Sequence, residues 1–187
     1  YDLFRLAMRV SSKRLFPNFS FLDAPFNIKY YQPDKPETEV VYMGCRTRVM
    51  GNVCGEEQAM GRGNLSFTTL NLPRLGIKYG IKTSDRNTAD LDGFFEELDE
   101  KINLIGEQLL ERFEIQASKK VKNFPFLMGQ GIWKGSENLG WDDELRDIIK
   151  EGTVTMGFIG LAECLIALTG KHHGEDESSR ALGAKII

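Results

Sequence analysis

From Ala89 to Val121, apolar side chains recur every three or four residues: Leu91, Phe94, Phe95, Leu98, Ile102, Ile105, Leu109, Phe113, Ala117 and Val121. That spacing predicts one long amphipathic helix, with Glu and Lys on the opposite face. A single stripe of this length has to be buried against another layer of structure. The question for the rest of the sequence is what that layer is.

Strands supply it. Val40-Val41-Tyr42-Met43 is short, β-branched and apolar throughout, which predicts a buried strand. It leads into a stretch dense in glycine: Gly44, Gly51, Gly55, Gly61 and Gly63. Leu65 to Leu72, with Thr68 and Thr69 at its middle, predicts a second strand, closed by Pro73. Thr153 to Met156 predicts another, followed by an apolar helix from Gly157 to Leu168 that stops at Gly170. Nearer the start, Asp2 to Leu15 carries Leu3, Leu6, Ala7 and Val10 at helical spacing, and Pro17 ends it. Asn18 to Leu22 alternates with period two, as a strand does, and Phe26 to Tyr31 reads as a second extended piece. Phe124 to Trp133 reads as extended or loop, Asp142 to Lys150 as a short helix, and Ser178 to Ile187 as another. Strands alternating with helices, several of the strands apolar on both faces, predict an α/β architecture with a mostly parallel sheet.

Composition narrows the function classes. The 187 residues are 41% hydrophobic and 27% charged, enough for a real core and unlike a disordered tail. A net charge of −3 gives no overall basic field, so neither nucleic acid nor an anionic membrane is an expected partner. No apolar run reaches the roughly 18–20 residues of a membrane span. The sequence opens on Tyr1-Asp2-Leu3 without an initiator methionine or a signal-peptide pattern, and is read as a piece of something larger. Its cysteines are Cys45, Cys54 and Cys164; an odd, sparse set argues for a reducing compartment, and no Cys-x-x-Cys zinc spacing occurs.

The stretch richest in chemistry is Tyr42-Met43-Gly44-Cys45-Arg46-Thr47-Arg48. A thiol sits where a strand gives way to a glycine-rich loop. Arg46 and Arg48 supply positive charge near the sulfur, and Gly44 lets a substrate approach the backbone. On residue type alone, Cys45 reads first as a small buried hydrophobe, as most free cysteines are. Gly157-Phe158-Ile159-Gly160 between a strand and a helix can present N–H groups to phosphate, or simply allow tight packing. The run from Gly51 to Gly63 lacks the P-loop lysine pattern. His172 and His173 point apart on any regular element and read as a solvated loop; Cys164 reads as core, and Cys54 as a bystander.

Six segments in order carry a resemblance: residues 18–27 (NFSFLDAPFN), 43–47 (MGCRT), 63–68 (GNLSFT), 71–76 (NLPRLG), 157–163 (GFIGLAE) and 168–174 (LTGKHHG). Together, from about Leu15 to the end, they resemble the anaerobic, glycyl-radical (class III) ribonucleoside-triphosphate reductases. The resemblance implies part of a ten-stranded α/β barrel, with a finger loop carrying Cys45 into its centre as a transient thiyl radical. It places Asn64 at the position associated with formate as reductant, where aerobic relatives have a redox cysteine. A neutral amide can hydrogen-bond a carboxylate without being oxidised. Ser66 would share a strand face with Asn64. Met43, Gly44, Arg46, Ser66, Gly157 and Gly160 are the expected substrate contacts. Thr47 stands where aerobic relatives have an acidic residue.

The resemblance also implies what lies elsewhere. Residues 1–187 would be a partial catalytic barrel, without the nucleotide-sensing ATP-cone and without the domain that holds structural zinc and the radical-storing glycine. No cofactor or metal is expected within this stretch; the whole enzyme would use a glycyl radical, zinc, allosteric ATP and deoxynucleotides, and formate as co-substrate. Its partners would be a ribonucleoside triphosphate, an S-adenosylmethionine-dependent iron–sulfur activating enzyme and a second copy of itself, in the cytoplasm. Alone, this stretch should be inactive and should pair through open strand edges. Two other readings are a glycyl-radical lyase and a non-catalytic nucleotide-binding or scaffold module. The paired cysteines usual in the lyases are absent.

Overall fold

The computed structural model describes residues 1–44, 47–50, 52, 55–81 and 88–187. They form two compact units. The first comprises Tyr1–Gly63, Val121–Asp143 and Asp147–Glu151; the second comprises Asn64–Lys120, Glu144–Arg146 and Gly152–Ile187.

The first unit opens with helix α1, Asp2–Arg14, none of whose residues is buried. The expected strand at Asn18–Leu22 is irregular instead. The Phe21 carbonyl there accepts from the Ala24 N–H at 3.2 Å and from Asn27 Nδ2 at 2.8 Å, which holds the segment in a turn. The extended piece expected at Phe26–Tyr31 begins as a helical turn, α2, Pro25–Ile28, with Pro25 preset for a helix start. Strands β1, Val41–Met43, and β2, Thr47–Val49, pair antiparallel: Val41 with Val49, Tyr42 with Arg48, Met43 with Thr47. The first of these was expected to be buried; Val40 and Val49 are, but Val41 is exposed and Tyr42 and Met43 are half-buried.

The second unit holds a two-stranded parallel sheet, β3 (Asn64–Asn71) against β4 (Thr153–Ile159). Among the described residues the strands form two small sheets, one parallel with seven paired positions and one antiparallel with three. Nor is β4 buried on both faces: Val154, Met156, Phe158 and Ile159 are all exposed. Pro73 does not merely end β3. The chain turns directly into α3, Leu72–Tyr79, with Pro73 in its first turn and Asn71 Oδ1 accepting from the Arg74 N–H at 3.2 Å. The long helix, α4, spans Leu91–Ala117 and is capped by Asp90, whose Oδ1 accepts from the Gly93 N–H at 3.0 Å. It is four residues shorter at its far end than the apolar spacing suggested. Val121 falls in a separate 3₁₀ turn.

The helix expected over Asp142–Lys150 shrinks to α5, Arg146–Ile149. The backbone before it is already in use, since the Asp143 and Trp141 carbonyls accept from the Val121 and Lys122 N–H groups at 3.1 and 3.0 Å. Gly157–Ile159 belong to β4 rather than to a helix; α6 is Leu161–Thr169, and α7 is Glu177–Ile186. Gly160 takes the turn between β4 and α6 at φ +69°, and a Cβ there would lie 2.2 Å from the Pro73 ring. Glycine is required on both counts.

The core of this unit is Leu72, Leu75, Phe94, Leu98, Cys164, Leu165, Leu168 and Ile186, drawn from α3, α4, α6 and α7. The stripe on α4 thus supplies Phe94 and Leu98 to it. Helices α3 and α6 approach backbone to backbone at Gly76 and Gly80. A Cβ on Gly76 would lie 2.8 Å from Cys164 Cα, and one on Gly80 would lie 2.3 Å from the Ala167 carbonyl oxygen.

At the start of α7, Asp176 Oδ1 accepts from the Ser179 N–H at 2.9 Å and from the Ser178 hydroxyl at 2.8 Å. These bonds, with Lys171 alongside, bring the carboxyl down to about 2, chiefly through the Ser179 N–H. A pKa lowered on folding means the cap is intact above the ordinary carboxylate range and is lost as pH falls toward about 2. The Ser179 amide resonance is expected to titrate with a midpoint near 2; a midpoint near the ordinary aspartate value of about 4 would refute the cap.

Candidate active site

The hairpin of β1 and β2 carries the residues expected around the thiol. Met43 is half-buried and faces Thr47 across it; Gly44 follows at φ +60°. Cys45 and Arg46, like Cys54, lie outside the described residues. Arg48, read from sequence as a charge near the sulfur, has a structural occupation. Its Nε donates to Asn27 Oδ1 at 2.8 Å, and its guanidinium also donates to the Phe26 carbonyl. It lies over the rings of Phe26 and Tyr30, 5.5 and 5.4 Å from their centroids. Asn27, itself 2% exposed, thereby ties β2 to α2.

In the second unit, Asn64 begins β3 and is exposed, with its Oδ1 accepting a hydrogen bond from Thr153 Oγ1 at 2.8 Å. The pairing slips between Asn64 and Ser66: Asn64 pairs with Thr153 and Ser66 with Val154, leaving Leu65 as an extra residue. Period-two counting therefore does not carry from Asn64 to Ser66. The Ser66 hydroxyl is turned to α4, where Arg112 Nη1 lies 3.3 Å from it, 3.1 Å from Thr68 Oγ1 and 3.2 Å from the Phe67 carbonyl. Gln116 Nε2 donates to the Leu65 carbonyl at 3.0 Å.

Gly157 and Gly160 lie elsewhere on the same sheet. Gly157 pairs with Thr69 inside β4, and Gly160 follows the far end of that strand. At about 3.3 Å per residue, Gly160 is roughly 20 Å along the strand from Thr153 and Asn64. Beside Gly157 is a groove of about 310 Å³ lined by Leu70, Leu98, Ile102, Met156, Phe158 and Ile186, which presents hydrocarbon and no charged side chain. The sheet thus separates Asn64 from these glycines.

The remaining candidates have structural settings. Cys164 is fully buried, and burial pushes its thiol up to about 11, leaving it protonated at neutral pH. His172 Nδ1 accepts from the Gly174 N–H at 3.0 Å, and the two histidine rings stand 5.8 Å apart at 70°. Among the described residues, no three His, Cys, Asp or Glu side chains converge on a metal position, and no helix is long and apolar enough to cross a membrane.

Sequence reasoning missed Thr153, Arg112 and Gln116. None stands in a motif, and each is found only once the strand register and the seating of α4 are known.

Comparison with known proteins adds identity to this geometry. The sequence profile of the family described as anaerobic ribonucleoside-triphosphate reductase matches residues 1–187. The protein of that name from Escherichia coli strain K12 is 31% identical over 194 residues, covering 100% of this chain and 25% of its own length. That from Salmonella typhimurium is 30% identical over 194 residues, covering 100% and 25%. That from Enterobacteria phage T4 is 31% identical over 180 residues, covering 94% and 28%. The chain spans about a quarter of the length of these relatives. The likeness reaches residue 1, beyond the Leu15 boundary that the motifs alone suggested. A profile that matches from the first residue to the last places the chain in the anaerobic ribonucleoside-triphosphate reductase family.

Proposed function

We propose that this chain is the segment of an anaerobic ribonucleotide reductase that carries the radical cysteine, Cys45, and the formate-associated residue, Asn64. The observation that carries the reading is the family match over all of residues 1–187, with both residues inside the motifs that bear the resemblance. In this reading the chain is part of a ten-stranded barrel, Cys45 sits on its finger loop, and the whole enzyme works as a cytoplasmic homodimer. The glycyl radical, stored outside this chain and installed by the activating enzyme, supplies the oxidising equivalent. Zinc and the allosteric nucleotides are likewise held outside it.

The chemistry assigned to these residues balances. The Cys45 thiyl takes the hydrogen atom from C3′ of the ribose, a transfer that runs in both directions because the S–H and activated C–H bonds are similar in strength. The C3′ radical labilises the 2′ hydroxyl, which is protonated and leaves as water. Formate supplies the electrons as its C–H bond breaks and it is released as carbon dioxide, and C2′ gains a hydrogen in place of the departed hydroxyl. Cys45 then returns hydrogen to C3′, which regenerates the thiyl. The sum is ribonucleoside triphosphate, formate and a proton giving deoxyribonucleoside triphosphate, carbon dioxide and water. Asn64 holds the formate by donating from Nδ2 to its carboxylate, a charge-assisted hydrogen bond.

The test uses the activated full-length enzyme, a ribonucleoside triphosphate and ¹⁴C-formate under anaerobic conditions. Labelled carbon dioxide is expected mole for mole with deoxynucleotide. Full turnover with thioredoxin and no formate would overturn the formate assignment.

A further inference from the structure

We infer that Thr153 is a positioning residue for formate, acting through the Asn64 carboxamide; this deepens the function proposed above and rests on its assignment of Asn64. An asparagine amide has an accepting end and a donating end of nearly equal size. Only the donating end can hold a carboxylate, so an unrestrained Asn64 would spend part of its time turned the wrong way. In the structure the Thr153 hydroxyl donates to Asn64 Oδ1 at 2.8 Å, which engages the accepting end in the orientation observed. Nδ2 is left as the group presented to a ligand.

The backbone around this pair is arranged to bring it together. Leu65 is the extra residue in the ladder, and without it the register beyond Ser66 would not set Asn64 opposite Thr153. Bulges of this kind re-aim side chains and are common beside functional sites. This one is held from two directions. Gln116 Nε2 donates to the Leu65 carbonyl at 3.0 Å, and the Leu65 side chain fills the space over Gly152, where a Cβ would come within 2.6 Å of Leu65 Cγ. Gly152 immediately precedes Thr153, so one packing contact fixes both strands at the level of the Asn64–Thr153 hydrogen bond.

The experiment is steady-state kinetics on the activated full-length enzyme with Thr153→Val, which keeps the shape and removes the hydroxyl. The formate KM is expected to rise about five- to tenfold, the loss typical of one hydrogen bond. The ribonucleotide KM and the glycyl radical signal are expected to stay unchanged, and Thr153→Ser to restore the formate KM to within about twofold. An unchanged formate KM in Thr153→Val, or a serine variant as impaired as the valine one, overturns the inference. If the valine variant does not fold, Thr153→Ala removes the same hydroxyl with less bulk and decides by the same criterion. Asn64→Ala separates the two levels of the argument. Normal formate dependence in Asn64→Ala overturns the reading of Asn64 itself. An impaired Asn64→Ala beside a normal Thr153→Val overturns only the role of Thr153. On the Asn64→Ala background, Thr153→Val is expected to add nothing, and a further rise in formate KM would count against action through Asn64.

Discussion

Cys45→Ser in the full-length enzyme is expected to abolish ribonucleotide reduction while the glycyl radical signal keeps its wild-type amplitude. Serine matches cysteine in shape and differs by one atom, so binding and folding should be preserved. The difference lies in the bond that must be made and broken. An O–H bond is much stronger than the C–H bond at C3′. An alkoxyl radical at this position would therefore be too costly to form from the stored radical, and a closed-shell hydroxyl cannot take the hydrogen atom. Loss of turnover with the radical store intact therefore points to hydrogen-atom transfer at residue 45, which substrate binding alone does not require. The measurement is deoxynucleotide formation alongside electron paramagnetic resonance of the same sample. Unchanged activity would remove the radical role of Cys45, and a lost radical signal would point to a damaged protein instead.

The second large effect is on stability. Phe94→Ala should cost about 3–5 kcal/mol, the range for truncating a fully buried aromatic. Phe94 is 0% exposed and sits where α4 meets the other helices of its unit. The rings of Tyr79 and Phe95 meet it edge-on, with centroids at 6.5 and 5.3 Å. Alanine would leave a void lined by leucines, with little of the helix framework able to collapse into it. Native domains are stable by only about 5–15 kcal/mol, so a loss of this size takes a large part of the whole. Urea unfolding should show a lower midpoint with an unchanged slope. A shift worth less than about 1 kcal/mol would mean that Phe94 is not central to the core.

The helix α4 was legible in sequence because many apolar positions repeat the same period, so no single local contact could override it. The order β3, then later β4 and α6, was legible from short β-branched runs and an apolar run stopped by Gly170, although the start of α6 was not. The failures were local. Asn18–Leu22 alternates like a strand, but the Asn27 side chain claims the Phe21 carbonyl and folds the segment into a turn. Pro73 was read as a stop, yet a proline suits the first turn of a helix as well as the end of a strand, and only the Asn71 cap decides between them. Gly157 looked like part of a helix-opening turn because a β-strand and a buried helix are both continuous apolar runs over so short a length. The proposed chemical site has a different source. Cys45 and Asn64 came from resemblance, since nothing in their spacing distinguishes them from a core thiol and an ordinary residue at the start of a strand. Thr153 was beyond reach, because its relation to Asn64 depends on a one-residue irregularity in a parallel ladder.

The close approach of α3 and α6 has a bearing on that irregularity. Gly76 and Gly80 let the two helix backbones touch, and Gly160 seats the start of α6 against the Pro73 ring at the start of α3. Such a junction has no slack: neither helix can slide by a fraction of a turn without driving one backbone into the other. Each helix is the direct continuation of a strand, α3 of β3 and α6 of β4. The joined helices therefore act as a fixed origin from which the strands are counted back. Because strand side chains alternate, a slip of one residue at that origin would invert which faces they present along the whole ladder. The alignment of an amide with a hydroxyl at one end of the sheet is thus set by glycines roughly 20 Å away at the other. If Asn64 holds formate as proposed, substitutions at Gly76 or Gly80 belong among the candidates for altering that binding, although neither residue is anywhere near the carboxamide.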